Sequence, residues 1–164
     1  MGRENIDIMP QLVKGGKYVF GWSFVSKDGR IIIPEEARQE YGIEPGERVI
    51  LISGSKTSGG FSIARKSVIE QSRLSDILIR NPELAEFRTK EGDILKVNDR
   101  NICWITVREN GLFQLSHLTL KAYGIKPGDY LLVIRGSYIG TGMAAKGPLV
   151  EEAKKHHEIA VFLP

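Results

Sequence analysis

Short apolar stretches separated by glycine- and proline-containing turns run along the chain, a pattern of strands rather than long helices. Gly21 to Ser26 is rich in β-branched and aromatic residues and predicts a strand. Lys27-Asp28-Gly29 then reads as a tight turn, since Asp-Gly supplies the positive φ that a hairpin needs. Arg30 to Ile33 predicts a second strand. Pro34 stops it and opens a short helix, with Glu35 and Glu36 facing the positive end of the helix dipole and Gly42 as a left-handed cap. Ile43-Glu44-Pro45-Gly46 reads as a type II turn, Val49 to Ile52 as a buried strand, Gly54 to Gly60 as a loop, and Phe61 to Arg65 as the return.

The same pattern recurs further along. Shifted by 82 positions, Trp22 to Ala64 lies over Trp104 to Lys146 without a gap, and 12 of the 43 positions are identical. The identities include the turn residues: Tyr41-Gly42-Ile43, Pro45-Gly46 and Gly54-Ser55 fall on Tyr123-Gly124-Ile125, Pro127-Gly128 and Gly136-Ser137. Copied turns imply a copied backbone. Two copies are too few for a solenoid, so the expectation is two units closing one core, a dimer written in one chain. In the second unit Asn110-Gly111 is the hairpin turn and Ser116 caps a helix from Leu118 to Tyr123. Leu131 to Ile134 is the strand, Gly136 to Gly142 the loop and Met143 to Lys146 the return.

Four segments follow. Residues 1–66 form the first unit with an N-terminal extension, and residues 67–92 a helical connector in which Asn81-Pro82-Glu83 starts a fresh helix. Residues 93–147 form the second unit, and 148–164 a C-terminal helix and strand, Leu149 to His157 and Ile159 to Leu163. The expected fold class is mainly β with short helices.

Composition adds limits rather than a function. The chain has 164 residues, 41% hydrophobic and 26% charged, an ordinary globular balance. No apolar run is long enough to span a bilayer, and Met1-Gly2-Arg3-Glu4-Asn5 lacks the apolar core of a secretory signal. The lone Cys103 cannot form an internal disulfide, which suits a reducing cytoplasm. A net charge of +3 permits an anionic partner without demanding one.

The string Asp28-Gly29-Arg30-Ile31-Ile32-Ile33-Pro34-Glu35-Glu36-Ala37-Arg38, continuing through Gly42-Ile43 to Pro45-Gly46-Glu47, resembles the AbrB/SpoVT family. The family pattern is Gly-Arg, an apolar run, Pro, a short helix containing Arg, Gly-Ile, then Pro-Gly with an acid. The first unit matches it throughout. The second keeps Gly111, the helix position and Gly124-Ile125-Lys126-Pro127-Gly128-Asp129. The resemblance implies tandem units that form a single swapped-hairpin, pseudo-dimeric β-barrel. It further implies a DNA-binding transcriptional regulator.

In the family, arginines at the positions of Arg30 and Arg38 contact DNA, so these two inherit that role, with Lys27 and Gln39 as neighbours able to reach phosphate or sugar. A guanidinium offers a planar fork of donors suited to phosphates and guanine edges. In the second unit Leu112 and Leu120 replace the two arginines, and Ser116 replaces Pro34. Two chains would then have to associate to present two arginine-bearing halves, so a homo-oligomer on double-stranded DNA is expected. Leu112, Phe113, Leu115, Leu118 and Leu120 read as a covered apolar face. The alternative is a module without DNA that oligomerises, senses a ligand or binds a protein partner as an antitoxin does.

Other chemistry is sparse. Arg30 and Arg38 have an ordinary alternative in salt bridges to Glu35, Glu36 or Glu40. The loop from Gly54 to Gly60 invites a phosphate-cradle reading but lacks the Gly-Lys-Ser/Thr ending, so a hairpin tip is preferred. Trp22 and Trp104 at equivalent positions suggest core packing before a base-stacking platform. His156-His157 point in different directions on a helix and suggest a solvated helix end, and Cys103 a buried strand residue. No nucleophile, base and acid converge, and no metal or cofactor motif occurs, so the expectation is a non-enzyme without cofactor.

Overall fold

The computed structural model describes residues 18–164. Residues 1–17, and with them the N-terminal extension of the first segment, lie outside the described residues. The elements run β1 (Val19–Phe24), β2 (Arg30–Ile32), α1 (Glu35–Tyr41), β3 (Arg48–Ser53) and β4 (Phe61–Arg65). Three short helices follow: α2 (Lys66–Glu70), α3 (Ser75–Arg80) and α4 (Pro82–Ala85). The second half contains β5 (Leu95–Val97), β6 (Arg100–Thr106), β7 (Leu112–Gln114), α5 (His117–Ala122), β8 (Tyr130–Ser137) and β9 (Gly140–Ala144). It closes with α6 (Pro148–Ala153) and β10 (Val161–Phe162). Among the described residues no helix is long and apolar enough to cross a membrane.

The two copies interleave. One sheet has eight strands in the order β10-β1-β8-β9-β4-β3-β6-β5, and a separate ribbon pairs β2 with β7. β1 of the first copy lies against β8 of the second, and β6 of the second against β3 of the first. The expected closed barrel is not what forms. The sheet is open, with β10 at one edge and the short β5 hairpin strand at the other.

A local twofold relation is readable from the registers. Trp22 pairs with Leu132, and the equivalent residues Trp104 and Ile50 pair with each other. In the ribbon Arg30 faces Gln114, Ile32 faces Leu112, and Ile31 faces its own counterpart Phe113, so the axis passes between these last two. The relation breaks at Gly21, where β1 bulges between Val19 and Gly21. Gly21 adopts φ +149°, and a Cβ on it would meet the Phe162 ring at 2.6 Å.

The copies also part company at their second hairpins. Ile50 pairs with Ala64, but its counterpart Leu132 pairs with Ala144, so Ala64 corresponds to Ala144 and not to Lys146. The segment expected to be a loop from Gly136 to Gly142 is therefore mostly strand, turning tightly at Tyr138-Ile139. In the first copy Gly54 to Gly60 does form the longer tip. Several of its amides are already engaged: Gly59 N–H donates to Ser55 O (2.8 Å), Gly54 N–H to Gly60 O (3.1 Å) and Gly60 N–H to Tyr123 O (3.0 Å).

Alternation along the strands divides the core. The inner face of the sheet, the ribbon and helices α1 and α5 share one cluster, in which Val25, Ile33, Ile43, Val49 and Leu51 are joined by their counterparts Val107, Leu115, Ile125, Leu131 and Val133. The outer face is covered in two patches. Around Trp104 the connector helices bring in Ile69, Ile77, Leu78 and Leu84; around Trp22, α6 and the last segment bring in Val150, Ala153 and Ile159. Both tryptophans are core residues, 9% and 8% exposed, as expected of equivalent strand positions.

Candidate nucleic-acid interface

The β2–β7 ribbon and the helix after each strand carry the residues singled out by sequence. Gly29 ends the first hairpin turn at φ +81° because its backbone lies directly under the other copy: Leu115 N–H donates to Gly29 O (3.0 Å), and a Cβ would strike Leu115 O. Gly111 does the same beneath Ile33, whose N–H donates to Gly111 O at 2.9 Å. These crossed contacts fix the hairpin that presents Lys27, Asp28 and Arg30.

Arg30 starts β2 and is 53% exposed. Its backbone N–H donates to Ser26 Oγ (2.9 Å), and its Nε lies 3.2 Å from Asp28 Oδ2. The Ser26 hydroxyl, 2.6 Å from Asp28 Oδ1, holds the Asp28 carboxyl below the usual carboxylate range, with Arg30 adding to the effect. An exposed pair of this kind contributes little to stability, so a phosphate can displace Asp28 readily. Lys27 is exposed at the tip, and its carbonyl oxygen lies 3.1 Å from His117 Nε2 of α5. Gln114, opposite Arg30, donates from its amide to Asp28 O (2.8 Å).

Arg38 sits on α1, beside the far end of the ribbon. Its Nε donates to Ile33 O (2.9 Å), and its stem crosses Gly111 so closely that a Cβ there would lie 2.7 Å from Arg38 Cδ. The two arginines thus mark the two ends of β2, about 10 Å of extended chain apart. Gln39 donates to Glu35 Oε2 at 3.1 Å. The other acids of α1 are also engaged away from the arginines: Glu36 accepts from Tyr18, and Glu40 holds Arg135 through two bonds of 2.5 and 2.7 Å. The salt bridges to Glu35, Glu36 and Glu40 considered for Arg30 and Arg38 do not form; Arg30 takes Asp28 instead.

The second copy uses the same backbone differently. Leu120, in the place of Arg38, is fully buried in the inner core beside Phe113 and Leu115. The expected apolar surface is therefore mostly interior. Leu112 is half-buried, and only Leu118, 81% exposed, remains outside. His117 and Gln114 were missed by sequence reasoning. Their hydrogen bonds to the Lys27-Asp28 turn depend on cross-copy pairing, which no local pattern encodes.

The remaining sequence candidates resolve simply. Cys103 is fully buried, and burial pushes its thiol up to about 11, away from the thiolate needed for reactivity. His156 lies 3.5 Å from both Glu152 and Glu158, and among the described residues no three His, Cys, Asp or Glu side chains converge as a metal site.

No family model matches the chain, and no curated protein matches it. Among solved structures the chain is similar to the solution structure of PHS018 from Pyrococcus horikoshii, at 20% identity over 79% of this chain and 97% of that one, with a TM-score of 0.35. At that level of superposition the likeness bears on neither fold nor function.

Proposed function

We propose that this chain is a DNA-binding transcriptional regulator of the AbrB/SpoVT type, with its hairpins swapped between two copies within one chain. The observation that carries the reading is the hairpin of the first copy. Lys27 and Arg30 project at its tip, held from beneath by the second copy, while the acids of α1 are occupied by Tyr18, Gln39 and Arg135. Arg30 and Arg38 meet the duplex, with Lys27 and Gln39 touching the backbone. Since the second copy offers leucines at both arginine positions, two chains supply the two half-sites.

Binding of this kind is dominated by phosphate contacts and weakens steeply with salt. Gel shifts on genomic fragments test it. The Arg30→Ala/Arg38→Ala double variant is expected to bind at least about tenfold more weakly than the native chain, with a shallower salt dependence. Equal binding by both proteins, or no binding by the native chain at low salt, overturns the proposal.

A second reading rests on Leu120. Its complete burial gives the second copy a purely structural helix, as expected of a module that binds protein or oligomerises without DNA. Light scattering and a copurification assay on the native chain separate the two: a protein partner bound through the ribbon, with no affinity for duplex, favours the second.

A further inference from the structure

We propose that Arg108, on the second hairpin, contacts a backbone phosphate of the duplex, a contact that rests on the reading of the ribbon as a DNA interface. In the repeat Arg108 lies over Ser26, and Leu112 over Arg30. The backbone joins these positions in pairs. In the first hairpin Ser26 N–H donates to Arg30 O (3.1 Å) and Gly29 N–H to Ser26 O (3.0 Å). In the second, Arg108 N–H donates to Leu112 O (2.7 Å) and Gly111 N–H to Arg108 O (3.2 Å). Both hairpins therefore close on the same pair, and residues opposite each other in such a pair project from one face. The first pair carries its arginine on the ribbon strand, the second on the strand beside it.

Alternation along the ribbon fixes which face that is. Ile31 and Phe113 point inward and are fully buried, so Arg30, Ile32, Leu112 and Gln114 project outward. Arg108 stands beside Leu112 on this outer side and is exposed. Arg38 reaches the same turn, since a Cβ on Gly111 would lie 2.5 Å from Arg38 Nε. Glu109, the acid of this turn, offsets one of the two guanidinium charges and leaves the other, and the place of Asp28 holds the neutral Asn110. One arginine from each copy thus makes the second hairpin as cationic as the first, where Lys27 and Arg30 face Asp28 alone.

Position selects a phosphate rather than a base. The major groove admits a two-stranded ribbon. With a duplex seated there, Arg30 on a ribbon strand is directed toward base edges. Arg108 lies one strand outside β7, about 5 Å further from the middle of the ribbon. That puts it over the wall of the groove, which is the sugar–phosphate chain. A guanidinium at that place binds a phosphodiester whatever the sequence. It anchors the half of the ribbon on which Ile32 and Leu112 stand where charged groups would otherwise meet the duplex.

The salt dependence of binding by the full chain tests this contact. Fluorescence anisotropy on a random-sequence duplex and on the best-bound genomic fragment gives the slope of log K against log salt. Arg108→Ala, checked for a native circular dichroism spectrum, is expected to make that slope shallower by about 0.9 for each chain bound. It is expected to weaken both duplexes alike, about three- to tenfold at about 0.1 M salt. Arg108→Lys keeps the charge without the planar fork and is expected to retain the slope. Lys155→Ala removes the same charge just past α6, which covers the opposite face of the sheet, and is expected to leave the slope unchanged. An unchanged slope for Arg108→Ala, beside a weakened Arg30→Ala/Arg38→Ala variant, overturns the phosphate contact and spares the DNA reading. An equal change in Lys155→Ala, a slope not retained by Arg108→Lys, or a loss confined to one duplex does the same. Absence of binding by the native chain at low salt overturns both.

Discussion

Two glycines and a cysteine show how single residues answer to the other copy. Gly29 and Gly46 both adopt positive φ, +81° and +86°, so an alanine is strained at either. They differ in surroundings: nothing lies within 4 Å of a Cβ at Gly46, whereas at Gly29 the Leu115 carbonyl blocks it. Gly46→Ala is expected to cost about 1 kcal/mol and Gly29→Ala about 2–4 kcal/mol, measured by chemical denaturation. Equal costs would show that the crossed hairpin contact is unimportant. The turn glycines were legible in the sequence, because Asp-Gly and Pro-Gly announce φ. The obstruction at Gly29 was not, since it comes from Leu115, 86 positions away in the chain. Cys103 behaves likewise. Burial raises its thiol from 9.0 to about 11, with the Tyr123 hydroxyl beside it also pushed up by burial. The native state favours the protonated thiol, so this contribution is whole below about pH 9 and declines as pH rises towards 11, by about 2–3 kcal/mol. Denaturation midpoints at about pH 8 and about pH 10.5 should show a loss that is smaller in Cys103→Ala. An unchanged alkaline loss in that variant would place its origin elsewhere.

At the level of elements, α1 and α5 share a backbone and divide the work. α1 begins at Pro34 with no side-chain cap and holds Arg38 half-buried against the end of the ribbon. α5 begins at Ser116, whose hydroxyl accepts from Thr119 N–H (3.1 Å), and turns Leu120 fully inward. Restoring the arginine is therefore not a route to a second interface. Leu120→Arg is expected to lose about 4 kcal/mol or more, or to fail to fold, because it buries an unpaired charge. Near-native stability in this variant would mean that α5 can rotate outward. Most elements could be read from spacing and turn residues, including both short helices and the Gly42 cap of the first. The misses have physical causes. β5 is only Leu95–Val97, too short for periodicity to register, and depends on Asn98 and Asp99 both taking positive φ to turn into β6. Asn81 does sit at the N-cap position of α4, but its side chain makes no bond there and instead donates to Ile77 O (2.8 Å), closing α3. The shortened second hairpin was hidden because repeated glycines aligned without a gap while the strand behind them slipped by two residues.

For the whole molecule, the interleaved order of strands predicts that neither half is a folding unit. β1 needs β8, β6 needs β3, and the inner core takes residues from both copies. Separately expressed segments 1–92 and 93–164 are each expected to be unfolded by circular dichroism and to recover native spectra when coexpressed. A folded, monomeric half would refute the shared interior. That interior was legible as soon as the repeat was seen. The open sheet was not: its ends are β10 and β5, neither of which belongs to the repeated pattern. The site was legible only in its residue types, since which group each arginine touches is decided by strand crossings. Fusion also releases a constraint at the axis, where Ile31 stands opposite Phe113 and both are fully buried. In an assembly of two identical chains that spot must hold the same amino acid twice, so a bulky ring would face a second bulky ring. Here a branched aliphatic side chain faces the ring, a complementary fit open only to a molecule whose two equivalent positions can differ.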